Sequence, residues 1–392
     1  MRSTIKAFNL PSGYAPSYKE SFYDSNVPYL HRSVGDGSLN TPAVLSAQLT
    51  QEVNKGGVLN LSLRKPVKNL NDDYAIRDVV NYYDWFIEVS TPYNMEGVQS
   101  YVAEHSDLLT KWWGQRVSTI ERPDRYDLVY EGQLSWLSYI VVEPYATTAQ
   151  NLSGYTGIML GKYNNALASS FYLDILWNGN NAYTGTTTVR GNSSLSNVYD
   201  EINEKVLKKY DNQLAVYTSN TNANRRVILL RQFPSTPSGV INGQDIMSVS
   251  HTVSGADRHR TWYLYGAKTD ESTEGDLTRI KGEYTIYQSG YNQTVNKISQ
   301  TFGVYDDITT TETLDTKAQE SYNQSLLDSD GIELTITPEK ASELLLGDLY
   351  TVSCPKAGIS GEYRLTKRVI DVLNPARNRY TFGTAQRLIS RR

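Results

Sequence analysis

The stretch Gly347–Leu373, GDLYTVSCPKAGISGEYRLTKRVIDVL, constrains the fold more than any other. Its first arm, Leu349–Cys354, alternates side chains with period two. Its second, Glu362–Leu373, sets Tyr363, Leu365, Lys367 and Val369 against Glu362, Arg364, Thr366, Arg368 and Ile370. Between them, PKAGISG places a proline that cannot continue a ladder beside glycines that accept positive φ. The pattern predicts a two-stranded hairpin. Neither arm carries a catalytic arrangement, so the hairpin is built to be paired and packed into something larger. Tyrosine points the same way: 30 tyrosines stand against 7 phenylalanines. An apolar body with a polar tip suits half-buried sheet faces and wet protein interfaces.

At 392 residues the chain exceeds one compact core, and roughly 100–200 residues per domain predicts two to four units. The 38 basic and 42 acidic residues nearly cancel, for a net charge of −4, which argues against gripping phosphate backbones. Cys354 is the only cysteine, so no intrachain disulfide forms and a small buried hydrophobe is expected there. The N-terminus has no apolar signal core, and no apolar run reaches the roughly 18 residues of a spanning helix. Neither a secreted precursor nor a membrane-spanning chain is expected. The Asn-x-Ser/Thr sites at Asn60, Asn151, Asn192, Asn292 and Asn323 reflect a polar composition only.

Along the chain, residues 1–56 are turn-rich and weakly periodic and read as an extended arm with short strands, ordered against a neighbour. Residues 57–147 hold GGVLNLSLRKPV, YYDWFIEVS, QRVSTIER and RYDLVYEGQLSWLSYIVVEPYA, strand-like runs of a barrel or sandwich with Glu131-Gly132 as a turn. A short helix is expected at HSDLLTKWW, capped by Ser106 or Asp107. Residues 148–235 read as a small α+β unit. Leu167, Phe171 and Ile175 have helical spacing, Val198, Ile202, Val206 and Tyr210 repeat it behind Ser196 as cap, and QLAVYTS and RRVILLRQF form a strand pair. Residues 236–392 are β-rich, with an inserted helical segment at about 270–330, where Leu314, Ala318, Tyr322 and Leu326 share one helix face.

Candidate chemistry is sparse. His251, Asp257 and His259 match no metal-ligand spacing. GYTGIMLGKY fails as a phosphate loop at Thr156 and Tyr163, and DSDGIE has the wrong carboxylate spacing for a calcium loop and reads better as a helix-ending turn. No Gly-x-Ser-x-Gly is present, and Cys354 has no neighbouring base. No catalytic residue, metal or cofactor is assigned. Carboxylate pairs for glycoside hydrolysis are defined in space, not in sequence. Trp112-Trp113 is the strongest aromatic cluster, expected at a helix end with one ring in the core and one capping a neighbour.

The order of parts resembles a phage tail tip hub. It comprises a β-domain ending in YDLVYEGQLSWLSYIVVEPYA, an α+β insertion, DIMSVSHTVSGADRHRTWYLYGAK, an amphipathic helix, and LLLGDLYTVSCPKAGISGEYRLTKRVIDVLNPARNRYTFGT. The family includes baseplate hubs of contractile tails and the N-terminal region of tail-associated lysins. The resemblance covers most of the chain beyond residue 57 and rests on order and character. It implies a mainly β, α+β fold with two tail-tube-like β-barrel domains per chain and a small α+β insertion. It also implies a homotrimer that presents six barrels to the tube. The implied place is the distal tip of the virion tail, after assembly in the host cytoplasm. The implied partners are a distal tail protein ring, the tape-measure protein and receptor-binding proteins. DNA would pass without specific binding during ejection. Since the sequence stops at LISRR directly after the barrel strands, a short form without a lytic domain is expected. Trp112, Trp113, Tyr363, Arg364, Lys367 and Arg368 are the interface candidates. The alternative is a cell-wall carbohydrate hydrolase or binding module that stacks sugars on Trp112, Trp113 and tyrosines.

Overall fold

The structure, a computed structural model, describes residues 3–9, 17–24, 44–64, 86–92, 111–145, 150–166, 173–177, 195–207, 212–218, 226–253, 261–269, 278–285, 300–305, 308–328 and 330–384. The chain forms two compact units, Met1–Val249 with Leu334–Arg392, and Ser250–Glu333.

Seven strands open the first unit: β1 (Thr4–Asn9), β2 (Ser17–Asp24), β3 (Val44–Glu52), β4 (Val58–Arg64), β5 (Phe86–Ser90), β6 (Lys111–Glu121) and β7 (Arg125–Gly132). Alternation sets their faces. Leu59, Leu61 and Leu63 of β4 pair with Tyr130, Leu128 and Tyr126 of β7, and all six side chains are buried. Within residues 1–56 the described strands belong to the sheet: β1 lies between β2 and β5, and β3 pairs along β4.

The expected turn at Glu131-Gly132 is also absent. The chain leaves β7 directly into a helical turn, α1 (Gln133–Trp136), continued as a 3₁₀ turn at Leu137–Tyr139, and then β8 (Val141–Val142). Next come α2 (Leu152–Ala166), β9 (Leu173–Trp177), β10 (Ser196–Asn197), α3 (Val198–Ile202, extended as a π turn to Leu207), β11 (Asn212–Thr218) and β12 (Arg226–Gln232). β11 and β12 form the expected antiparallel pair, and β9 joins β12 in parallel. The helical spacing through Ile175 is overturned, since Ile175 lies in β9; Leu167, Phe171 and Tyr210 lie outside the described residues. The helix sits earlier, where Leu152, Tyr155, Met159, Leu160 and Tyr163 form its buried stripe. Asn197, not Ser196, caps α3, its Oδ1 accepting from Asp200 N at 2.8 Å.

The C-terminal third adds β13 (Gly239–Asn242), β14 (Ile246–Val253), β15 (Thr261–Lys268), β16 (Arg279–Thr285), β17 (Gln300–Val304), α4 (Thr311–Asp328), β18 (Asp330–Ile336), α5 (Pro338–Ala341), β19 (Leu349–Cys354), β20 (Ile359–Asp371) and β21 (Arg379–Thr384). The predicted hairpin is β19–β20, paired from Leu349↔Arg364 to Cys354↔Ile359, with Gly358 at φ 69° closing the turn. Cys354 is buried. Within Ser250–Glu333, β15 lies between β16 and β17, and α4 covers one face. Trp262 and Leu264 pack there on Leu314 and Ala318. Among the described residues, the inserted segment at about 270–330 holds β16, β17 and α4, and so is not helical alone.

β20 does more than close a hairpin. Its first half pairs with β19 and its second with β3, Lys367↔Glu52 to Asp371↔Gln48, while β21 runs along its other edge. The exchange falls at Leu365–Thr366. Gly347 N donates to Leu365 O at 2.8 Å, Leu365 N to Asp348 O at 3.0 Å, and Val53 N to Thr366 O at 3.0 Å. One strand thereby joins two walls into a thirteen-stranded, curled half-barrel sheet.

The chain before β19 is fixed by buried charge. Arg231 meets Asp348 at 2.7 Å with both side chains almost wholly buried. Arg231 Nε donates to Gln213 Oε1 at 2.8 Å, Gln213 Nε2 donates to Leu346 O at 2.9 Å, and Ser238 Oγ donates to Asp348 Oδ2 at 2.8 Å. Gly347 takes φ 88°, and a Cβ there would lie 2.3 Å from Gln213 Oε1.

Removing one member of a buried, hydrogen-bonded pair strands the other, so Asp348→Ala is expected to destabilise the first unit by about 3–5 kcal/mol in urea titration. Gly347→Ala, strained in φ and in contact with Gln213, should lose more than about 1 kcal/mol. A pH dependence is expected from β7. The hydrogen bond from Arg122, followed by those from Ser62 and Arg125, holds the Asp127 carboxyl down at about 2 against the usual 3.8. The unfolded chain binds the proton first, so this stabilisation is complete above pH 3.8 and is lost as pH falls towards 2. Asp127→Asn should be less stable than wild type at pH 6, with the difference closing as pH falls through about 2, by acid denaturation.

Candidate functional site

The six interface candidates are placed mostly inside the chain. Trp112 and Trp113 lie in β6, so the helix expected to end on them is replaced by a strand; Ser106 and Asp107 lie outside the described residues. Successive strand residues face opposite sides. Trp112 enters the core of Leu59, Leu61 and Tyr130, its Nε1 donating to Gly56 O at 3.0 Å. Trp113 enters the core beneath α2, 4.8 Å from Phe8 between ring centres, its Nε1 donating to Glu88 Oε2 at 2.9 Å. Neither ring stands free to stack a sugar.

Tyr363 is buried too, and the arginines of β20 are interior groups. Arg364 donates to Gly347 O at 2.6 Å and Pro234 O at 3.0 Å, with its guanidinium 4.7 Å from the Phe233 ring centre. Arg368 is wholly buried and donates from Nε to Gln51 Oε1 at 2.9 Å, its cross-strand neighbour. Burial within one chain removes these five from the outer surface. Lys367 is the one member that reaches solvent, half-buried and paired with Glu52 at 3.0 Å.

A surface cleft of about 440 Å³ opens beside that pair, lined among others by Glu52, Lys55, Glu131, Ser138, Tyr139 and Tyr199. Glycines shape it. Gly132 N donates to Gly57 O at 3.0 Å, and a Cβ on Gly132 would fall 1.7 Å from Gly56 O. Only residues without a side chain let the β3–β4 turn and the end of β7 approach so closely. Tyr139 OH donates to Glu131 Oε2 at 2.7 Å, and Tyr199 OH to Asn54 O at 2.8 Å. Burial pushes the Glu52 carboxyl up, but hydrogen bonds and charge from Lys55 and Lys367 outweigh it and hold Glu52 below its ordinary value. A general acid for glycoside hydrolysis needs the opposite shift. Sequence reading missed this cleft because Glu131-Gly132 was read as a turn; the paired glycines at 56, 57 and 132 were its only sequence signal.

GYTGIMLGKY, tested as a phosphate loop, lies inside α2. His251 is exposed in β14, and Asp257 and His259 lie outside the described residues. Among the described residues no cluster of three His, Cys, Asp or Glu is arranged to hold a metal, and no helix is long and apolar enough to cross a membrane.

No family model matches the chain, and no curated protein matches it in sequence. Solved structures do. The 43 kDa tail protein of prophage MuSo2 from Shewanella oneidensis superposes with a TM-score of 0.51 at 12% identity, covering 98% of each chain. A tail protein from Neisseria meningitidis MC58 superposes with a TM-score of 0.55 at 9% identity, covering 99% of this chain and 98% of the other. The fold is that of these two tail proteins, mainly β with an α+β part.

If the cleft is not a hydrolytic centre, Glu131→Gln and Glu52→Gln should leave cell-wall zymograms as blank as wild type. Clearing by wild type that either substitution abolishes would reverse this reading.

Proposed function

We propose that this chain, with the fold of phage tail proteins, is a structural component of a phage tail tip or baseplate. Its working form is a homotrimeric hub that continues or closes the distal end of the tail tube. The observation that carries the proposal is the likeness to two tail proteins over nearly the whole of both chains. A fold shared from end to end supports a shared architectural role better than a shared module would.

The physical character of the chain agrees. Near-neutral charge suits a wall past which DNA slides, because a strongly basic lining would hold it by releasing counterions. With two barrel-like domains in each chain, three chains would present six similar edges to a sixfold tube, and a sheet whose two parts are joined through β20 agrees with that arrangement. In this arrangement both β-rich regions, 57–147 and 236–392, face the tube, and the 148–235 part lies on the distal side. The partners are a distal tail protein ring, the tape-measure protein and receptor-binding proteins. The hub takes part in host attachment and DNA ejection at the virion tip, after assembly in the host cytoplasm, and performs no catalysis.

Light scattering on the purified chain, alone and with the distal tail protein, tests this. The expected mass is three times the 44.1 kDa chain. A chain that stays monomeric with the partner ring present is not this hub.

A further inference from the structure

We draw no further inference here: the strongest candidate, the surface cleft between the β3–β4 turn, the end of β7 and α3, belongs to the site already described, and its two carboxylates are answered within the chain, Glu52 by Lys55 and Lys367 and Glu131 by Tyr139, so that nothing in it selects a ligand.

Discussion

Everything in the first unit depends on where β20 changes partners. A strand thirteen residues long offers two edges; β21 takes one, and β19 and β3 share the other in succession. The changeover needs the chain before β19 to arrive at Leu365 at a fixed height, and Gly347 and Asp348 deliver it there through paired backbone bonds. Asp348 in turn is held by Arg231 of β12. The α+β part is therefore a brace against the point at which the two walls meet. From the other side Asn54, at φ 62°, accepts from Leu214 N at 2.7 Å, so the β3–β4 turn is braced by the same layer.

The parts legible in the sequence were those whose period is set locally. The β19–β20 hairpin and α4 show their own alternation or stripe, and the strand pair β11–β12 is marked by apolar runs. What was illegible follows from tertiary context. The α2 segment contains Gly154 and Gly161, each costing about 1 kcal/mol against alanine in a helix. It is helical because its stripe fills the core with Val198, Ile202 and Val206. Trp112 and Trp113 read as a helix end because two adjacent large rings fit no one-sided strand. The sheet has a core on each side of β6, so both are absorbed.

The candidate site was less legible than the fold. Arg364 and Arg368 sit where period-two alternation assigns a polar face, and polar faces are ordinarily solvated. Here that face is closed by Gly347 and Pro234, whose carbonyls accept from Arg364, and by Gln51, whose Oε1 accepts from Arg368 Nε. Charge in this chain marks the joints as well as the surface. The apolar surface that remains open, at Tyr139, Val141, Leu195 and Phe302, falls on residues of no marked pattern, because exposure is decided by which neighbour is missing.

The shared strand has a mechanical meaning. Tension applied along β20 loads its ladders to β19, β3 and β21 lengthwise, so that many backbone hydrogen bonds must slip together before any parts. Peeling at a sheet edge breaks them one at a time. Two walls joined by a common strand thus pass force along that strand from one to the other in shear, the stiffest direction a sheet possesses, and would bear a sudden load without splitting along the seam.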